Sequence, residues 1–135
     1  MANYNQHRNI NTLLHCMNVS YTVYRVCLKL KIEPDEIVRA AFLHDFFLYD
    51  WHKEKNIIKH AFKHPRVALR NIEKNHLFFS KKQKEMILSH MFPLAPVPKS
   101  IGGWILNLTD KYCTCREVLG FSKNLYLQFT KILRG

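Results

Sequence analysis

The chain has 135 residues, 47% of them apolar and 23% charged, which suits one soluble domain with its own core. No apolar run approaches the ~20 residues of a membrane span. The polar start Met1-Ala2-Asn3-Tyr4-Asn5-Gln6 lacks a signal-peptide apolar region, so a cytoplasmic protein without a membrane partner is expected. The formal charge is +11, from 21 Lys and Arg against 10 Asp and Glu. The basic residues are spread along the chain and match no nucleic-acid module, so a small anionic, phosphate-containing substrate is expected rather than a specific nucleic acid. A homodimer is compatible with this composition.

Four cysteines, Cys16, Cys27, Cys113 and Cys115, form no C-x-x-C pair. Zinc-ribbon and thioredoxin-like motifs are therefore not expected, and all four read as reduced packing thiols.

Residues 9–31 carry apolar side chains on most sides, from Leu13 and Leu14 to Leu28 and Leu30, which predicts a long, largely buried helix. Pro34 suits the first turn of a second helix, with Asp35 and Glu36 near its positive end, running to about Phe47. Residues 49–63 lack a long helical period and predict a loop. Pro65 suits the first position of a third helix with His64 at its cap, and Val67, Ala68, Leu69 and Ile72 on its core side. Ser80-Lys81-Lys82-Gln83 matches a capping box ahead of a fourth helix that closes at His90. The prolines of 92–98 forbid helix there. Ser100 caps a fifth helix whose expected core side holds Trp104, Ile105, Leu108, Tyr112 and Val118, and which Gly120 ends. Ser122 opens a last helix, about 122–133. No convincing strand pattern appears. The expected fold is all-α, a single domain of five to six helices over residues 1–135.

The run Ala40-Ala41-Phe42-Leu43-His44-Asp45-Phe46-Phe47 places a His-Asp pair in apolar surroundings. An ionised carboxylate is costly to bury unless it is paired or binds a cation, and a neutral imidazole is a ready metal ligand. Taken alone, the pair is better read as a helix end whose histidine meets solvent. Taken with the rest of the chain, it joins an ordered set. His15 lies on the first helix, His44 and Asp45 close the second, His64 opens the third, His90 closes the fourth, and Asp110 sits in the fifth. Metal sites in helical folds are built this way, from side chains on facing helices. His15, His44, Asp45 and Asp110 would form one nitrogen-oxygen site. Asp45 has two oxygens and could bridge to a second ion held by His64 and His90. Such donors suit Fe, Mn, Zn or Ni, with Mg also compatible.

In Leu14-His15-Cys16, Leu43-His44-Asp45, Lys63-His64-Pro65, Ser89-His90-Met91 and Thr109-Asp110-Lys111 the chain resembles the HD-domain superfamily of metal-dependent phosphohydrolases. The resemblance covers roughly residues 7–117 and extends to Phe47–His52, His60–Pro65, His90–Leu94 and Asp110–Cys113, which are similar to those of small stand-alone bacterial members. It implies an all-α fold and, through the two intermediate histidines, a branch that holds two metals. The Gly-Tyr-Pro signature of cyclic-dinucleotide phosphodiesterases is missing, and Arg8 stands where a glycine would follow the N-terminal histidine.

The expected activity is hydrolysis of a small phosphate ester, such as a nucleotide, by metal-activated water. Asp45, Lys111 and His60 are the candidate catalytic residues. His60, Lys111, Arg66, Trp51 and Tyr49 are candidate substrate contacts, with Phe92 and Leu94 at the pocket mouth. His64 and His90 would be substrate contacts if only one ion binds. His60 equally reads as a loop histidine, and Lys111 as a solvated lysine. Two other classes remain: a mixed-valence di-iron oxygenase of the same superfamily, and a non-catalytic nucleotide-binding module.

Overall fold

The computed structural model describes residues 5–7, 10–45 and 57–119, together with positions 131 and 134. A short antiparallel ribbon comes first, β1 (Asn5–His7) against β2 (Ile10–Asn11). Among the described residues five helices follow: α1 (Thr12–Leu30), α2 (Asp35–Leu43), α3 (Ile57–Lys74), α4 (Lys81–Ser89) and α5 (Ile101–Val118). The class is all-α as expected, and the ribbon is an addition that no alternating pattern announced.

The first helix is the central one and packs against α2 and α5. Its Cys16, Val19, Val23 and Cys27 recur every three to four residues and are fully buried. Lys31 ends it in the left-handed region, φ 56°, and the Ile32 N–H donates back to the Cys27 carbonyl at 2.9 Å. In α2, Ile37, Ala40 and Ala41 are buried, and the two alanines let its backbone approach α1 closely. Pro34 is the N-cap of α2 rather than its first residue, and the helix stops at Leu43 instead of continuing to Phe47. The His44 side chain takes up the Ala41 carbonyl at that point.

The third helix is the largest departure. It begins at Ile57, so residues 57–63 are helical where a loop is expected, and His64 and Pro65 lie inside the helix rather than opening it. A mid-helix proline removes one backbone bond and crowds the preceding turn, at a cost of ~3 kcal/mol. Here the helix continues because His64, Pro65, Ala68 and Ile72 are buried along one face. Tertiary burial overrides the local signal.

The capping box at Ser80 and Gln83 forms as read, with both reciprocal bonds present. It also fastens α4 to the start of α2. The Ser80 hydroxyl donates to the Glu36 carboxylate at 3.0 Å, and the Gln83 amide donates to the Glu36 carbonyl at 3.2 Å. Helix α4 packs on α2, α3 and α5. Residues 91–100 are non-helical, as the prolines require.

Helix α5 starts at its Ser100 cap as expected, and Leu119 is its C-cap. Its expected core face is partly wrong. Leu108 is 59% exposed, and Trp104, Tyr112 and Val118 are also exposed. The side turned inward carries Gly102, Leu106, Asn107, Asp110, Cys113 and Glu117. With Val26 and Leu30 of α1, the outward residues Trp104, Leu108 and Tyr112 line an open apolar groove. Gly120 and residues 121–130 lie outside the described residues, and of the expected last helix only positions 131 and 134 are described, both helical. No helix among the described residues is long and apolar enough to cross a membrane.

One continuous core joins α1, α2, α3, α4 and α5, with Val19, Ile37, Ala68, Ile72, Met86, Ile87 and Leu106 at its centre. Gly102 sets the spacing of α5 against it. A Cβ at this position would lie 2.6 Å from the Met86 methyl and 3.0 Å from Ile37 Cγ1. The Gly102→Val variant is therefore expected to lose ~1–3 kcal/mol of stability by overpacking, read as a lowered midpoint in urea unfolding.

Candidate metal centre

Every one of the five helices delivers a donor group to one buried point. His15 comes from the first turn of α1, His44 caps α2 and Asp45 follows it, His64 lies midway along α3, His90 caps α4, and Asp110 comes from α5. All six are buried. The two caps use one local device. At a helix C-terminus the last carbonyls have no backbone donor. His44 Nδ1 donates to the Ala41 carbonyl at 2.6 Å, and His90 Nδ1 donates to the Ile87 carbonyl at 2.5 Å. A carbonyl can only accept, so each Nδ1 carries hydrogen. In the neutral ring, Nε2 then holds the lone pair and points inward. Asn107 of α5 steadies the second cap, its amide donating to the carbonyls of His90 at 2.8 Å and Phe92 at 3.0 Å.

The Nε2 atoms and carboxylate oxygens are spaced as ligands of a common ion would be. Two ligands at ~2.1 Å from one ion, ~90–110° apart, lie roughly 3.0–3.4 Å from each other. His15 Nε2 is 2.9 Å from Asp110 Oδ1 and 3.6 Å from Asp45 Oδ2. His44 Nε2 is 3.4 Å from Asp110 Oδ1 and 3.5 Å from Asp45 Oδ2. On the other side of the carboxylate, Asp45 Oδ1 is 3.0 Å from His64 Nε2 and 3.4 Å from His90 Nε2, and those two nitrogens are 2.9 Å apart. His44 Nε2 is buried and has no hydrogen-bond partner among the described residues. A cation answers both facts: the converging lone pairs and this nitrogen. The residues fit a divalent metal. The donor atoms of His15, His44 and Asp110 lie within 4.8 Å of one another, as do those of His44, Asp45 and His90.

Without an ion, protons balance part of the charge. Burial disfavours a charged imidazole at His15, but hydrogen bonds to Asp110 and Glu117 outweigh it and hold its pKa well above the ordinary value. Burial is likewise outweighed at His44, chiefly by the charge of Asp45. Burial also opposes a charged Asp45, yet the charges of His44 and His64 hold it well below the usual carboxylate range. Asp110 is lowered too, against its burial, by its hydrogen bond with His15 and by the His44 imidazole 3.4 Å from its Oδ1. His90 goes the other way: burial, with the charges of His44 and His64, lowers it despite its contact with Asp45.

The expected metal residues thus meet, all six of them. The others spread out. Lys111 is exposed next to Asp110, and partial burial of its ammonium lowers its pKa, with the Asp110 charge opposing. Arg66 is exposed on α3, two residues beyond His64. His60 belongs to α3, one turn before His64, and its side chain lies outside the described residues, as do Tyr49 and Trp51. Phe92 packs edge-on against Trp104, ring centres 5.4 Å apart, and Leu94 is exposed. Sequence reasoning missed two buried residues, Glu117 and Asn107. Glu117 lies two turns beyond Asp110 on the same helix, a spacing that could have revealed it.

The shifts give a pH dependence. His15 and His44, raised above 6.5, contribute stability that is full below pH 6.5 and is lost as pH rises through their raised values. Asp45 and Asp110, lowered below 3.8, contribute stability that is full above pH 3.8 and is lost as pH falls toward their lowered values. His90, lowered below 6.5, instead costs stability as pH falls below 6.5. The metal-free protein is therefore expected to lose thermal stability as pH rises above 6.5. Metal binding displaces protons from imidazoles, so the stabilisation by added Mn²⁺ is expected to grow over the same range. Thermal melts from about pH 6 to 9, with and without Mn²⁺, check both signs.

The HD domain family model matches residues 12–115, a span that contains His15, His44, Asp45, His64, His90 and Asp110. No curated protein and no solved structure matches the chain. The family match and the buried histidine-aspartate cluster agree, and the chain belongs to the HD-domain family.

Proposed function

We propose that this HD domain is a two-ion, metal-dependent phosphohydrolase acting on a small phosphate ester such as a nucleotide. The observation that carries the reading is the division of Asp45. Its Oδ2 faces His15 and His44, at 3.6 and 3.5 Å, while its Oδ1 faces His64 and His90, at 3.0 and 3.4 Å. One carboxylate with a pair of imidazoles on each oxygen is the donor arrangement of a bridging ligand. His15, His44, Asp45 Oδ2 and Asp110 would hold one ion, and His64, His90 and Asp45 Oδ1 the other.

Divalent ions bound there would supply a water of lowered pKa and polarise a phosphoryl oxygen. The chain's own residues do the rest. The surrounding core excludes bulk water from the imidazoles, and the cap bonds of His44 and His90 keep their Nε2 atoms aimed inward. Lys111, adjoining Asp110, is a cation beside the centre for the substrate phosphate. His60, a turn before His64, and Arg66, two residues after it, are further candidates on α3. Tyr49 and Trp51, outside the described residues, are candidate substrate contacts from the sequence. The net charge of +11 draws anionic substrates generally, and its spread gives no stripe for a specific nucleic acid. The ions are Fe, Mn, Zn or Ni by donor type, with Mg compatible. The reaction takes place in the cytoplasm.

Metal analysis combined with a panel of phosphate esters tests the reading. Asp45→Ala is expected to lose both ions and all activity. His90→Ala is expected to lose one ion and keep the other. A wild-type protein holding a single ion, with His64 and His90 unengaged, overturns the two-ion reading. In metal-replete protein, Lys111→Ala and His60→Ala are expected to lower kcat/KM by roughly 10²–10³-fold. Oxygen uptake by the iron-loaded protein, without phosphate release, would move the assignment to the oxygenase class.

A further inference from the structure

Glu117 lies beyond residues 12–115 that the family match covers, and nothing in the proposed reaction requires it to touch a substrate. Yet it is 1% exposed, an extreme place for a carboxylate. Both of its oxygens are 2.8 Å from His15 Nδ1.

His15 needs this partner for a reason of local structure. His44 and His90 stand at helix C-termini, where the carbonyl three residues back receives their Nδ1–H. His15 is in the first turn of α1, where the carbonyls accept from backbone N–H groups further along the helix. Its ring must find an acceptor on another helix. Helix α5 provides one, and grips the ring at both ends. Asp110 Oδ1 is 2.9 Å from Nε2, and Glu117, two turns later on the same face, is bonded to Nδ1.

We propose that Glu117 is a positioning residue of the metal centre. It fixes His15 as the Nδ1–H tautomer, so that Nε2 presents its lone pair beside His44 and Asp110. A charged acceptor also makes the imidazole a stronger donor to an ion than the backbone carbonyls behind His44 and His90 do. Among the described residues, His15 is then the ligand whose strength is set by a carboxylate. The proposal rests on the metal reading above, and the experiment separates the two.

The test is Co²⁺ binding by the intact chain, followed by calorimetric titration and by the visible spectrum of the bound ion, with circular dichroism as a check on folding. Glu117→Gln keeps the volume and an acceptor oxygen but removes the charge. It is expected to weaken Co²⁺ binding 10–100-fold and to shift the Co²⁺ spectrum, with Glu117→Leu weaker still. Wild-type affinity and spectrum in Glu117→Gln overturn the proposal. A measurement on wild-type protein keeps the proposal falsifiable should the variants unfold. Nitrogen NMR of the Zn²⁺-loaded chain is expected to show His15 protonated at Nδ1 and metal-bound at Nε2, and the reverse assignment overturns the proposal. If wild-type protein takes up neither ion, the metal reading itself fails, and the proposal with it. If wild type binds both ions while Glu117→Gln is unchanged, only the role of Glu117 falls.

Discussion

The carboxylate of Asp45 is the group on which the rest of the centre depends. Its oxygens lie within 3.6 Å of the Nε2 atoms of His15, His44, His64 and His90, the four buried histidines among the described residues. Asp45 is itself buried, and an isolated carboxylate there would be prohibitively costly. The surrounding imidazoles remove that cost, as protonated partners or as fellow ligands of a cation. The helices that carry them must therefore converge on this point. Ala40 and Ala41 keep α2 close to α1, and Gly102 lets α5 approach Met86 and Ile37. These small residues bring the donor-bearing helices near enough for the cluster to close.

The histidines are held in two ways. Where a helix ends, its spare carbonyl orients the ring, as at His44 and His90. Where a helix begins, the ring is oriented by a carboxylate from elsewhere, as Glu117 does for His15. The first device costs little, because it uses a backbone carbonyl of the helix's own last turn. The second buries a further negative charge, which only a strongly bonded partner makes tolerable. The two halves of the centre are also electrostatically unequal, through burial and the neighbouring charges rather than through these two devices alone. His15 and His44 are drawn toward the cationic form, while His90 is pushed toward neutrality. On the proposed two-ion reading, unequal environments on the two sides of Asp45 would give the ions different affinities.

Helix α5 explains most of what its own sequence misstates. Its most regular apolar side, Trp104, Leu108 and Tyr112, faces outward along a groove against α1. Its inward side carries Asn107, Asp110 and Glu117 among Leu106 and Cys113. Hydrophobic periodicity assumes that the core is apolar. Here the core contains a polar centre, and the helix that supplies it turns its polar groups inward. Asn107 and Glu117 consequently look like solvent-facing residues until their partners on α1 and α4 are seen.

The sequence by itself determined the helical class, the capping box at Ser80, the ends of α4 and α5 near His90 and Ser100, and the six metal-capable residues in their order. These are local or pairwise facts: a cap needs residues three apart, and a buried His-Asp pair demands an explanation wherever it occurs. Tertiary structure alone decided that α3 runs unbroken through Pro65, since only the burial of His64, Pro65, Ala68 and Ile72 outweighs the proline. It alone decided which face of α5 turns inward. It alone joined Glu117 to His15 across 102 positions and divided the oxygens of Asp45 between two pairs of histidines. Those outcomes depend on how helices far apart in the chain pack together, and no local pattern encodes the distance between two side chains on different helices.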